Sequence, residues 1–278
     1  METSSRLSFF QKGFAHFVLI VMGAFFLSPF LWMVSTSLKS NAELFLWPPK
    51  WIPSSMVWRN YPDAIDYIPF FKYLSNSLLI SGLATVAVLI SCPLVAYSLA
   101  RIPWKGAKPL FGATLIVMMM PYQVTMIPIF ITFKNIGWVG TNIPLWLPAL
   151  FGAPFYIFLL RQFFMGLPKE LEDAARIDGA SELRIYSQIM LPLCKPALLT
   201  IALFQFMGSW KDYQGPLIYL SDESQYTLML GMQAFKSQHG AEWQLMMATL
   251  VMITMPIMIL YFLVQKAFIR GITFTGIK

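Results

Sequence analysis

LPKELEDAARIDGASELRIYSQIMLP, residues 167–192, is the one long polar passage set between hydrophobic blocks, and its reading decides the fold. Pro168 suits the first turn of a helix, and Glu170, Glu172 and Asp173 match the partial positive charge of that end. Leu171, Ala174, Ala175 and Asp178 recur on one helical face, which is therefore small and smooth. Gly179 offers a left-handed C-cap. Ser181 is placed to cap a second short helix carrying Ile185 and Ile189, which Pro192 is expected to end. Two readings fit a helix–Gly–helix of this kind: a docking element for another protein, or an amphipathic loop lying on a bilayer surface.

What surrounds the passage is strongly apolar. Of 278 residues, 57% are hydrophobic and 12% charged, more apolar surface than a soluble domain of this size hides, so a polytopic membrane protein is the default. The net charge of +7 includes no compact basic cluster with interleaved aromatics, so no nucleic-acid partner is expected. Cys92 and Cys194 have no metal-ligand partner at a useful spacing and read as packing residues.

Six uncharged or nearly uncharged windows read as transmembrane helices, at about 13–38, 73–100, 109–133, 143–160, 196–220 and 245–265, in one transmembrane domain over 1–278. The first is too long for a signal-peptide core and lacks a small-x-small cleavage site, so it is expected to be retained. The loop at 39–71 is rich in Trp and Pro, which favours the membrane interface and argues against a continuous helix. Pro121 and Pro128 are expected to kink or break the third span. With the N-terminus inside, the inner segments hold Arg6 and Lys12; Arg101, Lys105 and Lys108; Arg161, Lys169, Arg176, Arg184 and Lys195; and Lys266, Arg270 and Lys278. The outer ones hold only Lys39, Lys50, Arg59, Lys72, Lys134 and Lys236. The positive-inside rule then puts both termini and the 167–192 loop in the cytoplasm.

No phosphate-binding Gly-x4-Gly-Lys-Ser/Thr loop occurs, nor a Gly-x-Ser-x-Gly or His-Glu-x-x-His motif. His16 and His239 fall on opposite membrane faces and have no partners. No enzyme and no metal site is expected. The fifth span is unusual in carrying Lys211 and Asp212. Gln205, Gly208, Asp212 and Gly215 fall on one face of a continuous helix, which either lines a solute path or reflects a Lys211–Asp212 pair that neutralises itself or snorkels outward. Gln123 and Thr125, between the two prolines of the third span, either touch solute or satisfy the broken helix.

The run Asp173-Ala174-Ala175, three residues, Gly179, nine residues, then Ile189-Met190-Leu191-Pro192 resembles the signature loop of bacterial ABC importer permeases. Asp173 stands where that family usually has Glu, with Glu172 beside it. The resemblance, to the carbohydrate-uptake branch and the shorter maltose-transporter permease, extends through Ser37-Leu38-Lys39, Asn60-Tyr61, Ala96-Tyr97 with Ala100-Arg101, Leu160-Arg161-Gln162-Phe163-Phe164, and Gln265-Lys266-Ala267-Phe268. It implies six spans with a cytoplasmic coupling loop in the bacterial inner membrane. It also implies a heterodimer with a sister permease, a cytoplasmic ATPase dimer that binds ATP and Mg, and an extracytoplasmic binding protein that delivers solute. Glu172, Asp173, Ala174, Ala175, Gly179, Ile189, Leu191 and Pro192 would couple to the ATPase; Gln123, Thr125, Gln205, Lys211 and Asp212 are path candidates. Lys211 replaces an Asn frequent among relatives, which fits an acidic solute. A secondary transporter would need internal repeats and a coupling-ion site, neither of which is visible; a non-transporting membrane scaffold is the other alternative.

Overall fold

The computed structural model describes residues 9–237 and 240–274; Arg6, His239 and Lys278 lie outside them, as do the side chains of Lys266, Ala267, Phe268 and Arg270. The described residues are all-α apart from a pair of two-residue strands, Lys236–Ser237 and Gly240–Ala241. Among the described residues four helices are long and apolar enough to cross a membrane, and up to six spans result if each of two bent helix pairs counts as one. The described residues form two compact units, one from Met1–Pro69 with Met232–Met255, the other from Phe70–Gly231 with Pro256–Lys278.

In the first unit, α1 (Phe9–Ser37) is a helix whose most apolar window is wholly unburied. Apolar residues all round it leave no polar face to turn to water, the composition of a lipid- or protein-covered span. The loop that follows holds only the short helices α2 (Asn41–Leu44) and α3 (Asn60–Tyr67), as its prolines dictate. It is tied by side chains: Asn60 Nδ2 donates to the Ser37 and Lys39 carbonyls at 2.8 and 2.9 Å. Lys39 Nζ lies 4.0 Å from the Trp32 ring centroid and donates to the Lys50 carbonyl.

The second unit is organised on α4 (Phe70–Arg101). Ala84, Ala87, Val88, Ser91, Cys92 and Ala96 give it a narrow buried face against which other helices come close. α5 (Ala107–Met119) and α6 (Tyr122–Asn135) follow. They meet at 102°, so the expected single span at 109–133 is a broken one. Pro121 donates no hydrogen bond and holds Met120 extended (φ −76°, ψ 124°), whereas Pro128 is accommodated inside α6. The fourth window opens with 3₁₀ turns at Ile143–Leu145 and Leu147–Phe151, and only then enters α7 (Pro154–Met165).

The loop passage folds as α8 (Glu170–Ile177) and α9 (Glu182–Ile185), continued by a π-helical turn at Tyr186–Met190 and by α10 (Leu191–Leu193). Pro192 therefore does not end the second helix, as expected from sequence; it sits inside it. Its missing N–H leaves the preceding carbonyls free to adopt the wider π spacing, and the helix axis turns by 75° only at Cys194. α11 (Lys195–Trp210) is followed by α12 (Gln214–Tyr219) and α13 (Leu228–Gly231). The fifth window is thus interrupted at Lys211–Tyr213 instead of running on to 220. The last helix, α14 (Trp243–Phe274), contains the sixth window and carries Pro256 within it. The core of the second unit, with Val88, Cys92, Leu160, Phe164, Met190, Cys194 and Ile201 as members, lies among α4, α7 and α11. Both cysteines are buried free thiols.

Candidate functional site

Two local features shape the loop. Gly179 takes φ +78°, and its N–H donates to the Arg176 carbonyl while that of Ala180 returns to Ala175, closing α8 in the manner of a left-handed C-cap. Ser181 then caps α9, its Oγ accepting from Arg184 N at 3.4 Å. Both were legible in the sequence.

The signature residues divide between two faces. Glu172 and Ala175, one turn apart, are the buried face of α8, and Ala175 joins the core together with Ile185. Asp173 and Ala174 point outward. The outer surface also carries Ile177 (87% exposed), Leu183 (70%) and Leu171 (41%). The smooth face expected from Leu171, Ala174, Ala175 and Asp178 is therefore not one surface: Ala175 turns inward while the other three are exposed. Ile189 and Leu191 are half-buried and Pro192 is exposed, on the stretch joining the loop to α11.

What holds the loop from behind is an ion-pair network that sequence reading missed. Arg101, the last residue of α4, has a side chain only 3% exposed. It donates from Nη2 to the Phe164 and Leu167 carbonyls, at the end of α7 and the start of the loop. Its Nε stands 3.4 Å from Glu172 Oε1, in ion-pair contact but not aligned as a hydrogen bond. One turn earlier on α4, Tyr97 OH donates to Glu182 Oε2 at 3.1 Å. Arg176 joins the two loop helices, reaching Glu182 at 2.8 Å, Asp173 at 3.1 Å and Glu172 at 3.6 Å. Burial pushes the Glu172 carboxyl up, opposed by Arg101 and then Arg176. The hydrogen bond from Arg176 holds Glu182 below the ordinary carboxylate range, and the same bond raises Arg176. α4 thus grips α8 through Arg101 and α9 through Tyr97. The signal was present: Tyr97 and Arg101 are spaced i,i+4 at a helix end, and Glu172 and Arg176 are spaced likewise, but sequence does not say that the two pairs meet.

The path candidates separate more sharply. Gln205 is bonded to Ser209, one turn on, at 2.9 Å. Thr125 Oγ1 donates to the Tyr122 carbonyl at 3.0 Å, within the first turn of α6, and Gln123 is exposed beside it. α11 ends at Trp210, so Gln205 and Gly208 do not share a continuous helix face with Asp212 and Gly215. Among the described residues no ion pair joins Lys211 to Asp212; Lys211 is exposed, while Asp212 Oδ1 accepts from Gly215 N at 3.1 Å. Of the five candidates Asp212 lines a cavity of about 530 Å³ bordered by α6, the 3₁₀ turns at 143–151 and α12.

Apolar helices long enough to cross a membrane, two of them sharply bent, with a capped helix pair seated on the bundle by buried charge, define a transport permease. Residues 92–274 match the family described as "binding-protein-dependent transport system inner membrane component", and the chain belongs to that family. It is 37% identical over 209 residues to the arabinooligosaccharides transport system permease protein AraQ of Halalkalibacterium halodurans, covering 75% of each chain. It is 29% identical to the sulfoquinovosyl glycerol transport system permease protein SmoH of Agrobacterium fabrum, over 100% of this chain and 99% of that one. Its fold matches a chain in the crystal structure of a bacterial ABC transporter involved in import of the acidic polysaccharide alginate. There the TM-score is 0.80 at 23% identity, over 96% of this chain and 99% of the other. The chain is a multi-pass inner-membrane subunit of an ABC importer and not itself an enzyme.

Proposed function

We propose that this chain forms half of the translocation path for a sugar or related solute, and that its loop 167–192 is where ATP hydrolysis is coupled to movement of the spans. The partners are a sister permease, a cytoplasmic ATPase dimer carrying ATP and Mg, and an extracytoplasmic binding protein that hands over solute. Both termini and the loop face the cytoplasm, in keeping with the distribution of Lys and Arg. Glu172 and Ala175 seat the loop on the bundle, Gly179 sets the angle between its helices, and Ile189, Leu191 and Pro192 carry motion into α11. Asp173 and Ala174 meet the ATPase. Gln123, Thr125, Gln205 and Lys211 remain candidates for contact with solute along the path, behind Asp212.

One observation carries this reading. The loop is held rigidly from behind by charge pairs while it presents Leu171, Ala174, Ile177 and Leu183 outward, an apolar patch on an element that is otherwise polar. An apolar patch rimmed by charge marks a protein contact. Affinity purification from the native membrane in mild detergent tests it. The wild-type chain should bring down a second permease and an ATPase, and Ile177→Glu should lose the ATPase while keeping the second permease. Recovery of the ATPase with Ile177→Glu and Leu183→Glu combined would overturn the assignment of the docking face. ATP-independent, gradient-driven uptake would point to a secondary transporter.

A further inference from the structure

We infer that the cavity where the Trp- and Pro-rich loop folds back on the end of α1 holds the phosphodiester headgroup of an anionic phospholipid of the outer leaflet. The inference rests on the orientation proposed above, which puts this loop outside. The cavity, of about 200 Å³, lies wholly within the first unit, and Trp32, Thr36, Lys39, Glu43, Lys50 and Trp243 are among its walls. Side chains at the end of α1 build it by pulling the loop back. Ser35 Oγ donates to the Trp51 carbonyl, and Lys39 Nζ donates to the Lys50 carbonyl at 2.6 Å. The rings of Trp32 and Trp51 meet edge to face, 5.0 Å apart. The space admits a headgroup but not acyl chains as well.

Two groups on the walls lack the partners that their burial calls for. Lys39 is 2% exposed, yet among the described residues no carboxylate stands within ion-pair distance of it. It has the Lys50 carbonyl and the face of Trp32, whereas buried ammonium groups are ordinarily paired with an acid. Burial lowers the Lys39 pKa, opposed by the charge of Glu43, and a bound anion opposes it further. Thr36 is 7% exposed, and its Oγ1 has no hydrogen-bond partner. A phosphodiester oxygen is an acceptor that serves both groups. Glu43 is engaged elsewhere, its Oε1 accepting from Ser54 N at 2.8 Å. Lys39 and Lys50 against Glu43 leave one positive charge on the walls, which a phosphodiester carrying an uncharged alcohol neutralises. The rim is suited to lipid. Phe45, on the wall, is itself exposed, Trp47 beyond it is 90% exposed, and the α1 surface leading to the site is apolar and unburied. Exposed aromatics beside a basic pocket at the end of a span anchor at the headgroup level, which lays the acyl chains along α1.

The test uses the complete transporter, purified in mild detergent, stripped of lipid and titrated with phosphatidylglycerol or phosphatidylethanolamine, bound lipid being counted by native mass spectrometry. Phosphatidylglycerol should bind more tightly than phosphatidylethanolamine. Thr36→Val removes only a hydroxyl without a partner, so the complex should stay intact. Its tightest phosphatidylglycerol adduct should weaken about tenfold or more, the worth of one hydrogen bond to a charged group. Lys39→Met should abolish that adduct. Equal affinity for the two lipids, or an unchanged adduct in Thr36→Val, would overturn the inference. Displacement of the lipid by millimolar inorganic phosphate would give the pocket to a soluble anion. Loss of the solute-binding protein from Thr36→Val, with lipid retained, would give it to that protein; either result overturns the lipid assignment. Orientation is read separately, by labelling Ser55→Cys, at an exposed position of the loop, with a membrane-impermeant maleimide in spheroplasts. A loop labelled from outside, in a complex that binds no phosphatidylglycerol, refutes this site alone. A loop labelled only after lysis refutes the orientation on which the site rests.

Discussion

Arg101→Met should loosen the coupling loop far more than any substitution on its outer face. The guanidinium is 97% buried, opposite a carboxylate that is 96% buried, and it also satisfies two backbone carbonyls, Phe164 and Leu167. Removing one partner of a buried pair costs about 3–5 kcal/mol, because Glu172 loses its buried counter-charge and Arg176, partly exposed and 3.6 Å away, compensates it only in part. That cost falls on local opening of α8, and at about 1.4 kcal/mol per tenfold it amounts to a several-hundredfold loss of amide protection. Removing both charges, as Arg101→Met with Glu172→Met, should recover part of it, leaving the loss of the two carbonyl bonds at about 1–3 kcal/mol each. Hydrogen exchange with mass spectrometry on peptides spanning 167–185, in the assembled transporter, reads both effects. The double variant should exchange more slowly than Arg101→Met alone, and ATP hydrolysed per solute imported should rise in the single variant. Unchanged protection in Arg101→Met, or strictly additive effects in the double variant, would refute the argument that this pair holds the loop.

Other positions give independent checks. Gly179→Ala meets no neighbour but must adopt φ +78°, so it should cost about 1–2 kcal/mol in α8–α9 geometry and reduce ATPase recovery in pull-downs. Ser181→Ala removes a long capping bond and should cost about 0.5–1 kcal/mol, seen as faster exchange confined to α9. Gly231→Ala would drive a Cβ to 2.5 Å from the Tyr73 ring, and overpacking of about 1–3 kcal/mol should lower the melting temperature of the complex. Glu182 has its pKa lowered by Arg176, so the pair stabilises the loop above the unfolded value of about 4.3 and the contribution is lost as pH falls through the lower folded value. Because both groups are partly exposed, the effect is small. Loop protection should drop below about pH 4 in the wild type, and Glu182→Gln should flatten that dependence.

The sequence by itself determined the class of fold and the shape of the loop. Membrane spans follow from uninterrupted apolar windows, since lipid tolerates only helices whose backbone bonds close within themselves. The Gly179 turn and the Ser181 cap follow from local backbone chemistry, which acts over four or five residues and so is written in the sequence. The α5–α6 break at Pro121 was half legible: proline announces a disruption, but not that the chain would turn through 102° there while remaining helical through Pro128, Pro29 and Pro256. Neighbouring helices decide whether a freed carbonyl finds a partner, and those neighbours are distant in sequence. The same holds for the end of α11, which no proline marks. A helical-face argument across Gln205, Gly208, Asp212 and Gly215 therefore assumed a continuous helix that does not exist. What only the tertiary structure decided is which charges meet: Arg101 with Glu172, 71 positions apart, and Tyr97 with Glu182, 85 apart. It also decided that Asp212 turns to a cavity and Lys211 away from it. Periodicity fixes the direction of a side chain on its own helix; burial and partner depend on what the fold brings to that face.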